Sequence, residues 1–317
     1  MMRTNTNGLA RFEFYLAKLE TLLAAAASQA DPALWLYHNG ARTPIFMLEG
    51  LAKLYGGIQN EKRFAKIKAH FKLLEDGLGA IDYYDCFAKQ FSVDEMVSPA
   101  VKETIQAKSA ERAAALNALL TKNGWIGEDA NRIAKIRKKL SDSDWLDEKH
   151  EIKAIELFYR ASISTINAFA KTYRKGFSEL ESQVHELRRK LRWLSIYPQA
   201  LQGCIQLTDT ASDDKNVAKY LTPEIVNSPF NKMPAAGTNR YLLRLNRDYF
   251  FALSWMIAQL GTLKDDGLRF VVLNEAGTEA AANKSDEAAI LKRASEICRT
   301  YFDENDLDKL ISGIVKT

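Results

Sequence analysis

Hydrophobic residues recur at steps of three and four along most of the chain, and this spacing predicts helices from end to end. In the first helix, Leu9, Leu16 and Leu23 fall on one face. A long third helix is predicted over 60–90. Further helices are predicted over 98–121, 126–139, 147–174, 176–201, 239–260 and 285–316. The predicted fold class is therefore all-α.

The second predicted helix carries a proline in its interior. Asp31 and Pro32 favour its start, because aspartate caps a helix and proline fits the first turn. The pair Gly56-Gly57 favours its end. Pro44 lies between these limits and removes a backbone donor, so a kink or a break is expected there at a cost of ~3 kcal/mol.

Two segments depart from the helical pattern. Residues 208–237 contain Pro223, Pro229 and Pro234 and are predicted to form an irregular insertion. Residues 268–273 form a short apolar run that fits either an isolated strand or a continuation of the preceding helix. Neither segment predicts a sheet.

Composition indicates a globular chain and narrows the classes of function. The 317 residues include 47% hydrophobic and 26% charged residues, enough for a buried core in one large domain or two ordinary ones. The three cysteines are widely spaced, which argues against a disulfide framework or a zinc site and fits a reducing cytoplasm. No secretory signal and no run of about 18 apolar residues occurs, so a cytoplasmic protein outside the membrane is expected.

The sequence holds no group of residues with catalytic spacing. Its four histidines form no metal-ligand pair, and it has no glycine-rich phosphate loop and no nucleophile elbow. We therefore expect no enzyme activity, no metal and no cofactor. The net charge of +4 is too small to imply nucleic acid by itself. The aromatic clusters at 12–15 and 249–255 are typical of a core, so nucleic acid is an open but not a favoured partner.

Two features occur in the same order in both halves of the chain: a histidine followed four residues later by an arginine, and then a Leu-Gly pair followed by aspartates. These residues are His38 and Arg42 with Leu78-Gly79, and His185 and Arg189 with Leu260-Gly261. The order predicts a duplicated helical protein. Its halves are 1–145 and 146–317, and the second half carries the insertion at 208–237.

The predicted helix over 176–201 has a basic face. It consists of His185, Arg188, Arg189 and Arg192, which stand at helical steps, with Lys190 beside them. A separate apolar stripe consists of Leu180, Val184, Leu187, Leu191 and Leu194. Like charges at helical spacing repel, so either a polyanion or the carboxylates of a facing helix would stabilise the basic face. The alternative is a solvated face without a role in binding.

The basic face also carries a resemblance to a known family. Residues 185–194, His-Glu-Leu-Arg-Arg-Lys-Leu-Arg-Trp-Leu, resemble the second signature of CHAD domains, the conserved-histidine α-helical domains. The first half of that family has a similar His-Arg helix, matched by His38 and Arg42, and then a helix with Leu-Gly, matched at 78–79. The resemblance covers about 34–270. It implies two pseudo-symmetric antiparallel bundles of four-helix type, with inorganic polyphosphate bound in a basic channel between them.

The first half departs from the family pattern. Where the family carries further arginines, this chain has Ala41 and Ile45, and Pro44 interrupts the helix. Ile81 rather than an arginine precedes Asp82. The first half is therefore expected to contribute less positive charge to the implied channel.

The resemblance and the charge pattern together predict non-catalytic binding of inorganic polyphosphate or a related polyanion. The predicted binding residues are His38, Arg42, Lys72, Arg174, His185, Arg188, Arg189, Lys190, Arg192 and Arg244. Arg240, Arg244 and Arg247 are expected on one face of the helix predicted over 239–260. The alternative is a helical scaffold that has lost anion binding and contacts an unidentified protein partner, with 208–237 as its docking element.

Overall fold

A computed structural model of the chain describes residues 7–209, 214–275 and 284–317, without the side chains of 269–271, 273–275 and 284–286. Outside the described residues lie 1–6, on which the expected lack of a secretory signal rests, and 210–213 of the predicted insertion. Helix makes up 73% of the structure, with 12 α-helices and one three-stranded sheet in the described part. The prediction of a mainly helical protein is confirmed. None of the described helices is both long and apolar enough to cross a bilayer.

The chain divides into two compact units, the first running to Asp147 and also including the described residues 272–275. The helices of the first unit are α1 (Asn7–Ala26), α2 (Pro32–His38), α3 (Arg42–Ile58), α4 (Glu61–Ser92), α5 (Pro99–Lys122) and α6 (Arg132–Ser141). Side-chain caps from Asp31, Asn60 and Ser98 start α2, α4 and α5. Asp31 accepts a hydrogen bond from the backbone N–H of Leu34 at 3.0 Å, and Asn60 accepts one from Arg63 at 2.9 Å.

An aromatic cluster forms the centre of the first unit. The rings of Phe12, Tyr55, Phe64 and Trp145 all lie within 6.0 Å of one another, measured between ring centroids. Gly8 lies directly under the indole, because a Cβ at this position would be 2.3 Å from the Trp145 ring. Apolar residues of α1 at the predicted helical spacing, such as Leu16 and Leu23, are buried beside the cluster.

The second predicted helix is two helices in the structure, and the break expected at Pro44 lies a few residues earlier, at 39–41. The chain leaves α2 at His38 and turns through Gly40, whose φ of 71° is a left-handed conformation that glycine adopts without strain. Pro44 then lies in the first turn of α3, where the backbone N–H groups have no helical partner. The proline therefore starts a helix instead of kinking one.

The second unit begins at Glu148 and contains the sheet. Its elements are α7 (Glu148–Thr172), a π-helical turn (Leu180–His185), α8 (Glu186–Ala200), β1 (Ile205–Leu207), α9 (Lys215–Ala218), α10 (Pro223–Val226), a 3-10 turn (Pro229–Asn231), β2 (Tyr241–Leu245), α11 (Arg247–Glu275), α12 (Lys284–Glu304), a second 3-10 turn (Leu307–Leu310) and β3 (Ile311–Lys316). Where it is described, the predicted insertion contains three short helical turns within otherwise irregular chain.

The apolar stripe predicted for the basic helix is buried. All five residues, Leu180, Val184, Leu187, Leu191 and Leu194, are at most 9% exposed. Tyr159 of α7 donates a hydrogen bond to the carbonyl of Leu194 at 3.0 Å and fixes α7 against α8. With this stripe buried, Arg189 of the basic face is exposed, whereas His185, Arg188 and Arg192 are partly buried.

Two predicted helices are shorter at one end in the structure, because the residues there form strands of the sheet. The helix predicted over 239–260 begins only at Arg247, because 241–245 form β2, and the helix predicted over 285–316 ends at Glu304, because 311–316 form β3. β2 pairs in parallel with β1 and antiparallel with β3. These strands are specified by pairing between distant segments, which helical periodicity does not detect. The ambiguous run at 268–273 continues α11.

Gly203, between α8 and β1, provides a test of this packing. Its φ is 88°, and a Cβ there would lie 1.9 Å from the carbonyl oxygen of Ala235. We expect Gly203→Ala to lower the free energy of unfolding by about 3 kcal/mol in urea titrations, from backbone strain plus a clash. The matched control is Gly237→Ala, with φ of 58° and no neighbour of the added Cβ closer than 3.9 Å, expected to cost about 1 kcal/mol. Equal losses would contradict the close contact.

Candidate anion-binding site

Arg188 occupies the first turn of α8 and packs against α11. Its Nε donates to the backbone carbonyl of Ile257 at 3.3 Å. Its guanidinium lies over Gly261, where a Cβ would be only 3.1 Å from Nε and 3.2 Å from Nη2. Burial lowers the pKa of Arg188, and the charge of Asp265 opposes this shift. Arg188 is therefore a half-buried cation that donates a hydrogen bond to a carbonyl. Asp265 stabilises its charge by electrostatic attraction.

Three basic residues of this region, His185, Arg189 and Lys190, pair with glutamates three or four residues before them. His185 is 2.8 Å from Glu181, and this hydrogen bond lowers the pKa of Glu181. Lys190 is 3.0 Å from Glu186, and Arg189 pairs with the same carboxylate. Burial opposes ionisation of Glu186, yet the two cations lower its pKa. The face is thus partly neutralised by helical neighbours, which the spacing of charges alone did not predict.

Arg42 makes a similar contact in the first unit. Its guanidinium lies over Gly79, where a Cβ would be 3.2 Å from Nη2. Unlike Arg188, it has two carboxylate partners: Glu75 lies 2.9 Å from Nη2 and Asp82 lies 2.6 Å from Nη1. The sequence repeat paired Arg42 with Arg189, whereas the contact with the Leu-Gly glycine pairs it with Arg188 in the structure.

His38 and Arg42 do not share a helix, so the predicted His-Arg helix of the first half is wrong. His38 is exposed at the end of α2, and Arg42 is the first residue of α3. The left-handed residue Gly40 separates them. Next to His38, burial and hydrogen bonds to Asp85 and Asp82 raise the pKa of Tyr37. This part of the first unit is rich in carboxylates.

Two further predicted residues, Lys72 and Arg174, lie outside α8, whereas Arg192 belongs to its basic face. Lys72 pairs with Asp76 on α4 at 2.6 Å, and Arg174 follows α7 and pairs with Asp303 at 2.7 Å. Arg192 is half-buried on α8. The sequence did not predict the carboxylate partners of Lys72 and Arg174.

Arg244 lies on β2 and not on a helix. It pairs with Asp209 at 3.0 Å. The expected single face of Arg240, Arg244 and Arg247 is wrong, because Arg240 precedes the strand and Arg247 begins α11. Side chains alternate along a strand, so the four-residue spacing that suits a helix has no meaning there.

A cavity that the sequence did not predict lies between the turn after α7 and the face of α12. Its volume is about 420 Å³. The charged residues in its wall are Arg174, Lys175, Lys292, Arg299 and Glu296. A second cavity of about 350 Å³ shares Arg174, Phe177 and Arg299 with the first. The seven-residue spacing of Lys292 and Arg299 places both on one face of a helix. This spacing alone does not predict a cavity, because the opposite wall is the turn after α7, which is distant in sequence.

In the described part of the chain, no group of three or more histidine, cysteine or acidic side chains is placed to hold a metal ion. None of the three cysteines forms a disulfide, and Cys86 is exposed. Burial raises the pKa of the Cys298 thiol to about 12, so this thiol stays protonated at neutral pH.

The described part of the chain is a mainly helical protein made of two compact units. No protein family model, curated protein or solved structure matches the chain. The geometry of its own residues therefore carries the functional argument.

The pairing of Arg42 leads to a stability prediction. Replacing Arg42 with Gln leaves Glu75, which is only 14% exposed, without its cation, and we expect a loss of about 1 kcal/mol in the free energy of unfolding. The matched control is Lys72→Gln, whose pair with Asp76 is about half exposed, with an expected loss below about 0.5 kcal/mol. Urea unfolding followed by circular dichroism measures both. A larger loss for the Lys72 variant would show that the Arg42 pair is not structural.

Proposed function

We propose that the chain is a CHAD-like protein whose second unit binds inorganic polyphosphate or a related polyanion without catalysis. The observation that carries the proposal is Arg188, a half-buried guanidinium whose hydrogen bond goes to a carbonyl and not to a carboxylate. Removing a cation from water is costly unless an anion compensates it. A phosphate placed against the basic face of α8 would supply that anion.

The similar arginine contacts support the duplication that the CHAD resemblance implies. In each unit an arginine from one helix lies over the glycine of a Leu-Gly pair on a later helix: Arg42 over Gly79, and Arg188 over Gly261. In each unit the arginine also contacts the residue four positions before that glycine, Glu75 or Ile257. Two pseudo-symmetric bundles are part of the proposal, and this shared geometry is their support.

The second unit is the better candidate for binding. Arg42 has two carboxylates, so its charge is already compensated. On α8 the partners of Arg189 and His185 are glutamates within one helical turn, and the Arg189 side chain is 59% exposed. Exposed pairs of this kind contribute little, so a polyphosphate could replace the carboxylates at low cost. A cytoplasmic location belongs to the same proposal and fits three cysteines that form no disulfide.

The scaffold remains the second candidate, and one observation favours it. In the insertion, Phe230 is 80% exposed and Val226 is 41% exposed. Exposed apolar side chains close in sequence are common at protein contacts. If the protein keeps its function when the anion-binding residues are replaced, but loses it when Phe230 and Val226 are replaced, it is a scaffold.

Calorimetric titration with long-chain polyphosphate tests the proposal. We expect the wild-type protein to bind, more weakly as salt is raised from about 50 to 200 mM because counterions are released, and to prefer polyphosphate to heparin. Arg188→Glu with Arg192→Glu should abolish binding. Since Arg188 packs against Gly261, Arg189→Glu, which changes an exposed residue, is the second variant and should weaken binding about fivefold.

The matched control is Arg160→Glu on α7. Arg160 is 50% exposed and pairs with Glu156 at 2.7 Å, so it resembles Arg189 in exposure and pairing but lies off the basic face. Its affinity should stay within about twofold of wild type. Binding retained by a folded Arg188/Arg192 variant would refute the site. A wild-type protein that binds nothing at low salt would favour the scaffold.

A further inference from the structure

The cavity between the α7 turn and α12 concentrates positive charge. Four cations and one carboxylate line its volume of about 420 Å³. Only Arg174 among the four is ion-paired within the described residues, to Asp303, and that pair is exposed on both sides. An exposed pair contributes little to stability, so Arg174 can turn to a ligand at little cost. The cavity is therefore suited to an anion that carries more than one charge.

Hydrogen bonds fix the backbone of the α7 turn against α12. Gly176, with φ of 132°, turns the chain after α7, and the N–H of Phe177 donates to the hydroxyl of Ser295 at 2.8 Å. That hydroxyl in turn donates to the carbonyl of Leu291 at 2.6 Å. Ser295 lies between Lys292 and Arg299 on α12, so this hydrogen bond fixes the turn opposite both. A site arranged before binding loses less entropy when the ligand arrives.

The adjoining cavity has a different character. Its volume is about 350 Å³, and Tyr173, Phe177 and Phe302 supply aromatic wall. The rings of Tyr173 and Phe177 are 5.7 Å apart. Its carboxylates already have partners: Asp303 pairs with Arg174, Glu304 accepts from Tyr220 at 2.8 Å, and Asp306 accepts from the N–H of Asp308 at 2.9 Å. A flat, uncharged ring suits this cavity better than a cation does.

We infer that the two cavities form one site for a phosphate ester with an aromatic ring, of the nucleotide class. The phosphate binds between Lys175, Lys292 and the two arginines, because guanidinium groups match phosphate oxygens in pairs. The ring lies against Phe302 and Tyr173 in the second cavity. This site does not depend on the proposed binding of polyphosphate at α8.

Titration calorimetry with ADP and with pyrophosphate at low salt tests the inference. We expect the wild-type protein to bind ADP more tightly than pyrophosphate, because only ADP fills the aromatic cavity. Lys292→Glu should weaken both about tenfold, since it removes a charge-assisted contact to phosphate. Phe302→Leu should weaken ADP about fivefold and leave pyrophosphate unchanged. The matched control is Arg293→Glu, an exposed neighbour on α12 that lines neither cavity and should change neither affinity.

Several outcomes would overturn the site. Equal losses for Lys292→Glu and Arg293→Glu would mean that the general field of the surface, and not the cavity, attracts the anion. Equal affinity for ADP and pyrophosphate, or no effect of Phe302→Leu, would show that the aromatic cavity binds no ring and that the ligand is not a nucleotide. If neither ADP nor pyrophosphate binds, the proposed nucleotide site is wrong. The proposal that α8 binds polyphosphate would still be tested separately by its own titration. Conversely, loss of polyphosphate binding in the Arg188/Arg192 variant with ADP binding intact would support two separate sites.

Discussion

Close approach of an arginine to a helical glycine is the contact on which the charge distribution of each unit depends. A Cβ at Gly79 or Gly261 would lie only 3.1–3.2 Å from the guanidinium, so these positions keep the helices close enough for the arginine to lie across them. The contact removes part of the guanidinium from water, and each unit compensates differently. Arg42 has two carboxylates, whereas Arg188 has a carbonyl and the more distant charge of Asp265. The second unit is therefore the one that still gains from an added anion.

The cations of the second unit occupy three kinds of environment, and each has a different use. Arg188 is half-buried and rigid, which suits recognition of a fixed phosphate. Arg189 and Lys190 share Glu186 on an exposed helix face, which suits a polymer that exchanges contacts along its length. Lys292 and Arg299 are exposed on α12 and line an open cavity beside aromatic rings, which suits a small molecule with a charged end and a flat end.

Sequence patterns predicted the parts of the fold that depend on local order. The spacing of Leu187, Leu191 and Leu194 identified the buried face of α8, because helical periodicity is a property of one segment. β2 was predicted as helix for the opposite reason: its residues are extended by pairing with 205–207 and 311–316, which are distant in sequence. For the same reason Arg244 was predicted on a helix and the cavity beside α12 was not predicted. The walls of that cavity are residues more than 100 positions apart in sequence.

The one-residue shift in the internal repeat shows which kind of sequence signal survives divergence. Letter matching paired Arg42 with Arg189, but the contact with glycine pairs it with Arg188. The turn at Gly40 separates α2 from α3, whereas the π-helical turn runs directly into α8, so the residues before each arginine follow different paths. A connection can change length at little cost, whereas a Cβ at either glycine would lie 3.1–3.2 Å from the guanidinium and would force the arginine to shift. If the units are duplicates, as proposed, the Leu-Gly pairs are the markers of common ancestry, and the histidines before the arginines are not.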